Sequence, residues 1–150
     1  MNIFALDENP IFAARYSVNA HVIKMILETH TLLKSAHGDK GWRFHPCAKW
    51  TRESIENYRW LVALGLELCK EYTYRYEKIH KFQEKLEWLK NNEPELPAVP
   101  RTKFSLAMPD NCKDVDPVVA YRRYYNECKQ HLAKWKKREK PNWFILRAKN

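Results

Sequence analysis

From residue 14 to residue 33 the chain reads AARYSVNAHVIKMILETHTL, an apolar run interrupted at intervals of three and four. On a helix, residues three and four apart are neighbours. Ser17, His21, Lys24, Glu28 and Thr31 therefore form one polar line. Val18, Val22, Met25, Ile26 and Leu33 form an apolar strip on one side of it, and Ala20, Ile23 and Leu27 form another. A surface helix usually has one broad wet face. A narrow polar line with bulk on both sides predicts a groove or half-buried site; the alternative is a solvated stripe with an ordinary Lys24–Glu28 ion pair.

The spacing predicts a first helix over residues 11–36, ended by the turn residues His37, Gly38, Asp39, Lys40 and Gly41. Residues 2–6 read as a short extended piece. Thr51 is a candidate N-cap for a second helix reaching about residue 76, with Ile55, Tyr58, Leu61, Val62, Leu66 and Cys69 as its apolar positions. Gly65 in its middle implies a close helix approach. Residues 78–90 repeat the pattern as a third helix or an extension of the second.

Pro94, Pro97 and Pro100 exclude regular helix and mark residues 91–116 as a connector. Asp116 as cap and Pro117 in the first turn open a last helix over residues 117–138, with Val118, Tyr121, Tyr125, Cys128, Leu132 and Trp135 facing inward. Pro141 stops it, and Trp143, Phe144, Ile145 and Leu146 read as a hook returning to the core. No segment alternates as a half-buried strand would. The expectation is an all-α fold: one compact domain over residues 1–150, a bundle of three to four main helices with a Pro-rich connector and an aromatic C-terminal tail.

Composition narrows the function. The chain has 150 residues, enough for one core, and 27 Lys and Arg against 18 Asp and Glu leave a net charge of +9. That excess points to a polyanionic partner, nucleic acid being the commonest. No apolar run is long enough for a membrane span, and MNIFALDENP lacks the basic start of a signal peptide, which predicts a cytoplasmic protein with no membrane partner. Cys47, Cys69, Cys112 and Cys128 form no Cys-x-x-Cys pair and read as small buried hydrophobes; His45, Cys47 and Cys112 match no recognised zinc spacing. Neither metal nor cofactor is expected. Oligomeric state is not encoded in any legible pattern.

Four clusters can carry chemistry. His21, Lys24 and Glu28 combine a group titrating near neutrality, a cation for phosphate and a carboxylate for proton transfer. Arg52, Glu53, Glu56 and Asn57 open the second helix, where acidic residues also complement the helix dipole. Glu71, Tyr72, Tyr74, Arg75, Tyr76 and His80 interleave stacking rings with a guanidinium, a pattern suited to bases and phosphates, although tyrosines at this spacing also build cores. Arg122, Arg123, Lys134, Lys136, Lys137 and Arg138 give the last helix and its exit a basic band that could follow a phosphate backbone. From these clusters the catalytic candidates are His21, Lys24, Glu28, Asn57, Glu71 and Arg75. The nucleic-acid candidates are Arg52, Tyr74, His80, Arg122, Arg123, Lys134, Lys136, Lys137 and Arg138. No phosphate-binding Gly loop, nucleophile elbow, His-Glu-x-x-His or dinucleotide fingerprint is present.

The blocks MNIFALDENP, HVIKMILE, His45-Pro46-Cys47, EYTYRY, Met108-Pro109-Asp110, Asp116-Pro117-Val118, Ala120-Tyr121-Arg122 and Pro141-Asn142-Trp143-Phe144 resemble a family of small phage-encoded helical proteins across nearly the whole chain. That resemblance implies a phage source and a host-cytoplasmic location, and no particular activity. In size, basicity, extended N-terminal piece, polar helix line and aromatic tail the chain is also similar to the phage-type pyrimidine-dimer DNA glycosylases. Those enzymes flip a base and attack its sugar with the amine of a small second residue, helped by a helix glutamate. Here residue 2 is Asn2, a side chain that leaves Met1 in place.

The combined expectation is a DNA-acting protein, directed to DNA rather than RNA, that excises or modifies a pyrimidine in a pocket between the first two long helices. Two alternatives stand beside it: group transfer onto an already modified base, and a non-enzymatic DNA-binding or host-takeover protein.

Overall fold

A computed structural model describes residues 1–148. It is all-helical, with six helices among the described residues: α1 (Pro10–Tyr16), α2 (Asn19–Ser35), α3 (Pro46–Glu53), α4 (Ile55–Tyr76), α5 (Gln83–Asn91) and α6 (Pro117–Cys128). One hydrophobic core unites them, drawing on α1 to α6, the N-terminal segment, Phe104 of the connector and Phe144 of the tail. The longest element, α4, packs against α1, α2, α3 and α5. Gly65 lies where α4 meets α2 and α5: a Cβ there would stand 3.0 Å from Thr29 Cγ2 and 3.1 Å from a Leu86 methyl.

Three boundaries differ from the periodicity, each for a tertiary reason. The expected first helix breaks at Ser17 and Val18, both extended. Groups from other elements satisfy the freed backbone: Arg75 donates to the carbonyls of Ser17 and Arg15, and Val18 N–H donates to the Tyr125 hydroxyl oxygen. Thr51 is not a cap; it lies inside α3, with its hydroxyl donating to Cys47 O. His45 caps α3 by accepting from Cys47 N–H, with Pro46 in the first turn. Ser54 then caps α4 by accepting from Glu56 N–H. Finally, α6 stops at Cys128, not near Arg138. Residues 133–136 instead lie along the α1–α2 break, where Asn19 N–H donates to Lys134 O, Lys136 N–H to Asn19 Oδ1, and Trp135 Nε1–H to Tyr16 O.

The Pro-rich connector is a strap with partners along its length. Ile55 N–H donates to Pro97 O and Ser54 Oγ to Val99 O, while Asn57 exchanges hydrogen bonds with Thr102. Phe104 then packs between Trp50 and Trp60. Asp116 caps α6 as the sequence predicts, accepting from Val118 and Val119. Of the terminal hook, Phe144 is buried and Ile145 and Leu146 are exposed. No helix is long and apolar enough to cross a membrane among the described residues.

Candidate active site at the N-terminal amine

The first six residues form a folded lead-in held by one side chain. Asn2 Oδ1 accepts from the N–H groups of Ile3 (2.8 Å) and Phe4 (2.9 Å), and its Nδ2 donates to Ala107 O (2.7 Å). Phe4 takes a left-handed backbone, φ +39°, and Leu6 N–H closes a tight turn on Phe4 O. The Phe4 ring stacks on His21 of α2, centroids 4.2 Å apart.

This turn delivers the α-amine of Met1 to α2, 3.4 Å from Glu28 Oε1. Both side chains are only 9% exposed. A carboxylate removed from water to that degree needs a charged or hydrogen-bonded partner. Glu28 has two: the amine on one oxygen and Lys24 Nζ, 3.6 Å away, on the other. Lys24 is 71% exposed and marks the open side of the pair.

His21 forms the adjoining wall. Its Nδ1 lies 2.7 Å from the Tyr125 hydroxyl, whose oxygen already accepts from Val18 N–H. With Nε2 protonated, Nδ1 can accept the Tyr125 hydroxyl proton. Burial, then the charges of Lys129, Lys24 and His131, hold the His21 pKa down to about 3. The ring is neutral at any ordinary pH. His45 approaches from the start of α3. Burial and the Met1 ammonium lower its pKa while Glu28 opposes them, so it feels both members of the pair. Burial pushes the Cys47 thiol up, against a hydrogen bond from Ser105 and the same ammonium.

An amine and a carboxylate in contact beside an exposed cation are the groups that could serve as a nucleophile and its proton carrier. Among the described residues no group of three or more His, Cys, Asp or Glu side chains is placed to hold a metal ion.

The other sequence candidates fall into separate groups, with no direct hydrogen bond or ion pair joining His21, Lys24 or Glu28 to Asn57, Glu71 or Arg75 among the described residues. Asn57 is fully buried, its amide donating to Trp50 O and Thr102 Oγ1. Glu71 and Arg75 form a buried ion pair at 2.8 Å, and Arg138 adds a second cation to Glu71 at 2.7 Å. Arg75 donates three further hydrogen bonds, to Ser17 O, Asn19 Oδ1 and Arg15 O.

Among the nucleic-acid candidates, Arg122 pairs with Asp7, Arg123 with Asp114, Lys137 with Glu77 and Arg138 with Glu71. Arg52 donates to Ser35 Oγ and Arg43 O. Tyr74 lies beneath the Arg138 guanidinium, and Lys136 lies over Tyr76. Lys134 is exposed. His80 accepts from Phe82 N–H through Nδ1.

Met1, Asn2, Phe4, His45 and Tyr125 also build this site, although none of them is among the catalytic or nucleic-acid candidates of the sequence. His45-Pro46 carried a usable signal, a polar side chain before a first-turn proline. Phe4 and Tyr125 carried none, because each acts through a contact with a distant element.

Comparison with known proteins gives one family. A family model described as pyrimidine dimer DNA glycosylase matches residues 1–90, three-fifths of the 150-residue chain and the part holding Met1, α2 and His45. No curated protein and no solved structure matches.

Proposed function

The chain belongs to the pyrimidine dimer DNA glycosylase family, and we propose that it excises a dimerised pyrimidine with the α-amine of Met1 as nucleophile and Glu28 as proton carrier. The observation that carries this reading is the 3.4 Å approach of the Met1 amine to Oε1 of the buried Glu28.

A base inside a duplex hides its sugar, so the target nucleotide must turn out of the stack first. The free amine then adds to C1′ as the C1′–N1 bond breaks, and the bonding pair leaves with the base. The proton given up by the nitrogen passes through the Glu28 carboxylate to that base. Opening of the sugar ring, with O4′ taking a proton, leaves the nitrogen as a protonated imine of C1′. Loss of a C2′ proton to Glu28 then expels the 3′ phosphate and cuts the strand. Lys24, exposed beside Glu28, is placed to meet a phosphate at the mouth of the site.

Neutral His21, stacked on Phe4 and bonded to Tyr125, supports the lead-in without adding a charge that would repel the ammonium. Asn57, Glu71 and Arg75 act through the scaffold in this reading. Asn57 ties the connector to α4, and the Glu71–Arg75 pair fixes the α1–α2 break. The exposed Lys134 and Lys136 give the exit of the last helix a remaining phosphate-facing charge.

The test is borohydride trapping on a duplex bearing one pyrimidine dimer, with peptide mapping of the adduct and intact-mass determination of the mature N-terminus. The adduct is expected on the Met1 nitrogen and should vanish when a residue is added ahead of Met1. An adduct on Lys24, or cutting that survives the extension, would overturn the assignment.

A further inference from the structure

The segment between α2 and α3 presents two large rings to solvent. Phe44 is 73% exposed and Trp42 57% exposed. Neither ring gains much from burial, yet both are held. Trp42 is fixed in the left-handed region, φ +62°, an unusual conformation for a bulky side chain. His45 N–H donates to Trp42 O, the Trp42 ring meets His45 edge-on at 6.2 Å, and Arg52 donates to Arg43 O at 2.7 Å. Phe44 carries the Arg43 guanidinium over its face at 4.9 Å.

The segment also adjoins the amine. His45 follows Phe44 and feels the charges of both Met1 and Glu28, and Phe4 of the lead-in and the start of α3 share one hydrophobic core through Cys47 and Ala48. Its electrostatics suit a polyanion, whereas four cations of the last helix and the segment after it are already paired. Arg122, Arg123, Lys137 and Arg138 are answered by carboxylates within the molecule. Lys40, Arg43 and Lys49 are exposed and make no ion pair among the described residues, and Asp39 is the one carboxylate in residues 37–52. Exposed aromatic rings beside unneutralised cations are what a stacking platform for nucleobases requires.

We propose that residues 42–44 form a base-stacking element, in which Trp42 and Phe44 lie against the bases next to the extruded nucleotide while Arg43, Lys40 and Lys49 meet the flanking phosphates. The proposal rests on the DNA glycosylase reading and deepens it. Extruding a nucleotide leaves a gap in the stack, and an apolar side chain entering it lowers the cost of holding the duplex open. The occupant is thus duplex DNA distorted at the dimer, with its charge complementary to the three cations.

The test measures equilibrium binding of the full chain, carrying Glu28→Gln to prevent turnover, to a short duplex with one pyrimidine dimer across a series of salt concentrations. Phe44→Ala and Trp42→Ala are each expected to weaken binding on the order of 5- to 150-fold, the range for losing one base–aromatic stack. Phe44→Tyr should restore it. Neither alanine should change the salt slope, because no charge is lost, whereas Arg43→Ala should lower that slope by about one. Thermal unfolding of Phe44→Ala should match the parent.

Binding by both alanine variants within about twofold of the parent overturns the stacking role, as does a loss equally large in a Phe44→Tyr variant. Trapping at Met1 is scored separately in chains that keep Glu28. If trapping succeeds and the alanines bind normally, the stacking role fails and the reaction stands. If the parent binds, loses affinity with Phe44→Ala and never traps, the reaction fails and the interface stands. A parent without affinity for the duplex overturns both.

Discussion

The carboxamide of Asn2 donates to the carbonyl of Ala107 at 2.7 Å, joining the N-terminal lead-in to the far end of the connector. The same side chain accepts from Ile3 and Phe4, so one buried residue both anchors the lead-in and shapes its turn. The position of the Met1 amine against Glu28 depends on it. Asn2→Leu is expected to lower the single-turnover cleavage rate at least about tenfold while dimer-duplex affinity changes little. Leaving the half-buried Ala107 carbonyl and the N–H groups of buried Ile3 and Phe4 without partners should also cost about 1–3 kcal/mol of stability. An unchanged rate in a folded Asn2→Leu protein would show that the amine finds Glu28 without this residue.

Glu28→Gln keeps the shape of the site and removes its proton acceptor. Single-turnover cleavage is expected to fall by about 10²- to 10⁴-fold, the usual worth of a positioned acid–base group. Affinity for the dimer duplex should stay within a few-fold. Cleavage within about tenfold of the parent would assign proton transfer elsewhere.

Acid should unfold the protein through its histidines. The folded pKa of His21, about 3, lies below its ordinary value of 6.5, so the unfolded chain binds the extra proton. Stability from this group is complete above pH 6.5 and is lost as pH falls from 6.5 toward 3, by at most roughly 4–5 kcal/mol. Burial also lowers His30, His37, His45 and His80, which adds loss of the same sign. Thermal unfolding followed across that window should show the decline, and His21→Gln, which keeps an acceptor for the Tyr125 hydroxyl, should flatten it in part. An equally steep decline in His21→Gln would remove His21 as a cause.

Gly65→Ala opposes two effects of known size. Helix propensity favours alanine by about 1 kcal/mol, but the added methyl meets Thr29 Cγ2 at 3.0 Å and Leu86 at 3.1 Å, and overpacking a close helix contact costs about 1–3 kcal/mol. Thr29 and Leu86 are both buried and have little room to yield. Chemical denaturation should show a net loss; a gain would mean that α2 and α5 can move away from α4.

Arg75→Met removes a guanidinium with no exposure and leaves Glu71 buried with Arg138 alone. The expected cost is about 3–5 kcal/mol, together with loosening of the α1–α2 break that Arg75 holds through Ser17 and Arg15. Urea unfolding and proteolysis near Ser17 would report both. A fully stable variant that loses only cleavage would move Arg75 from the scaffold to the chemistry.

The sequence by itself determined the helical fold class, the polar line of α2, the Asp116–Pro117 start of α6, and the return of Phe144 to the core. These follow from local spacing, because periodicity and capping are written within a few neighbouring residues. Tertiary structure decided the rest. The break at Ser17–Val18 exists because Arg75 and Tyr125 take up the freed backbone groups. The end of α6 at Cys128 goes with the later contacts of residues 134–136 to the same break. The meeting of Met1 with Glu28 is decided in the same way. Periodicity placed Glu28 on the right face, but the residue opposite it depends on a turn held by Asn2 and Ala107, and a contact between distant segments leaves no periodic trace in either.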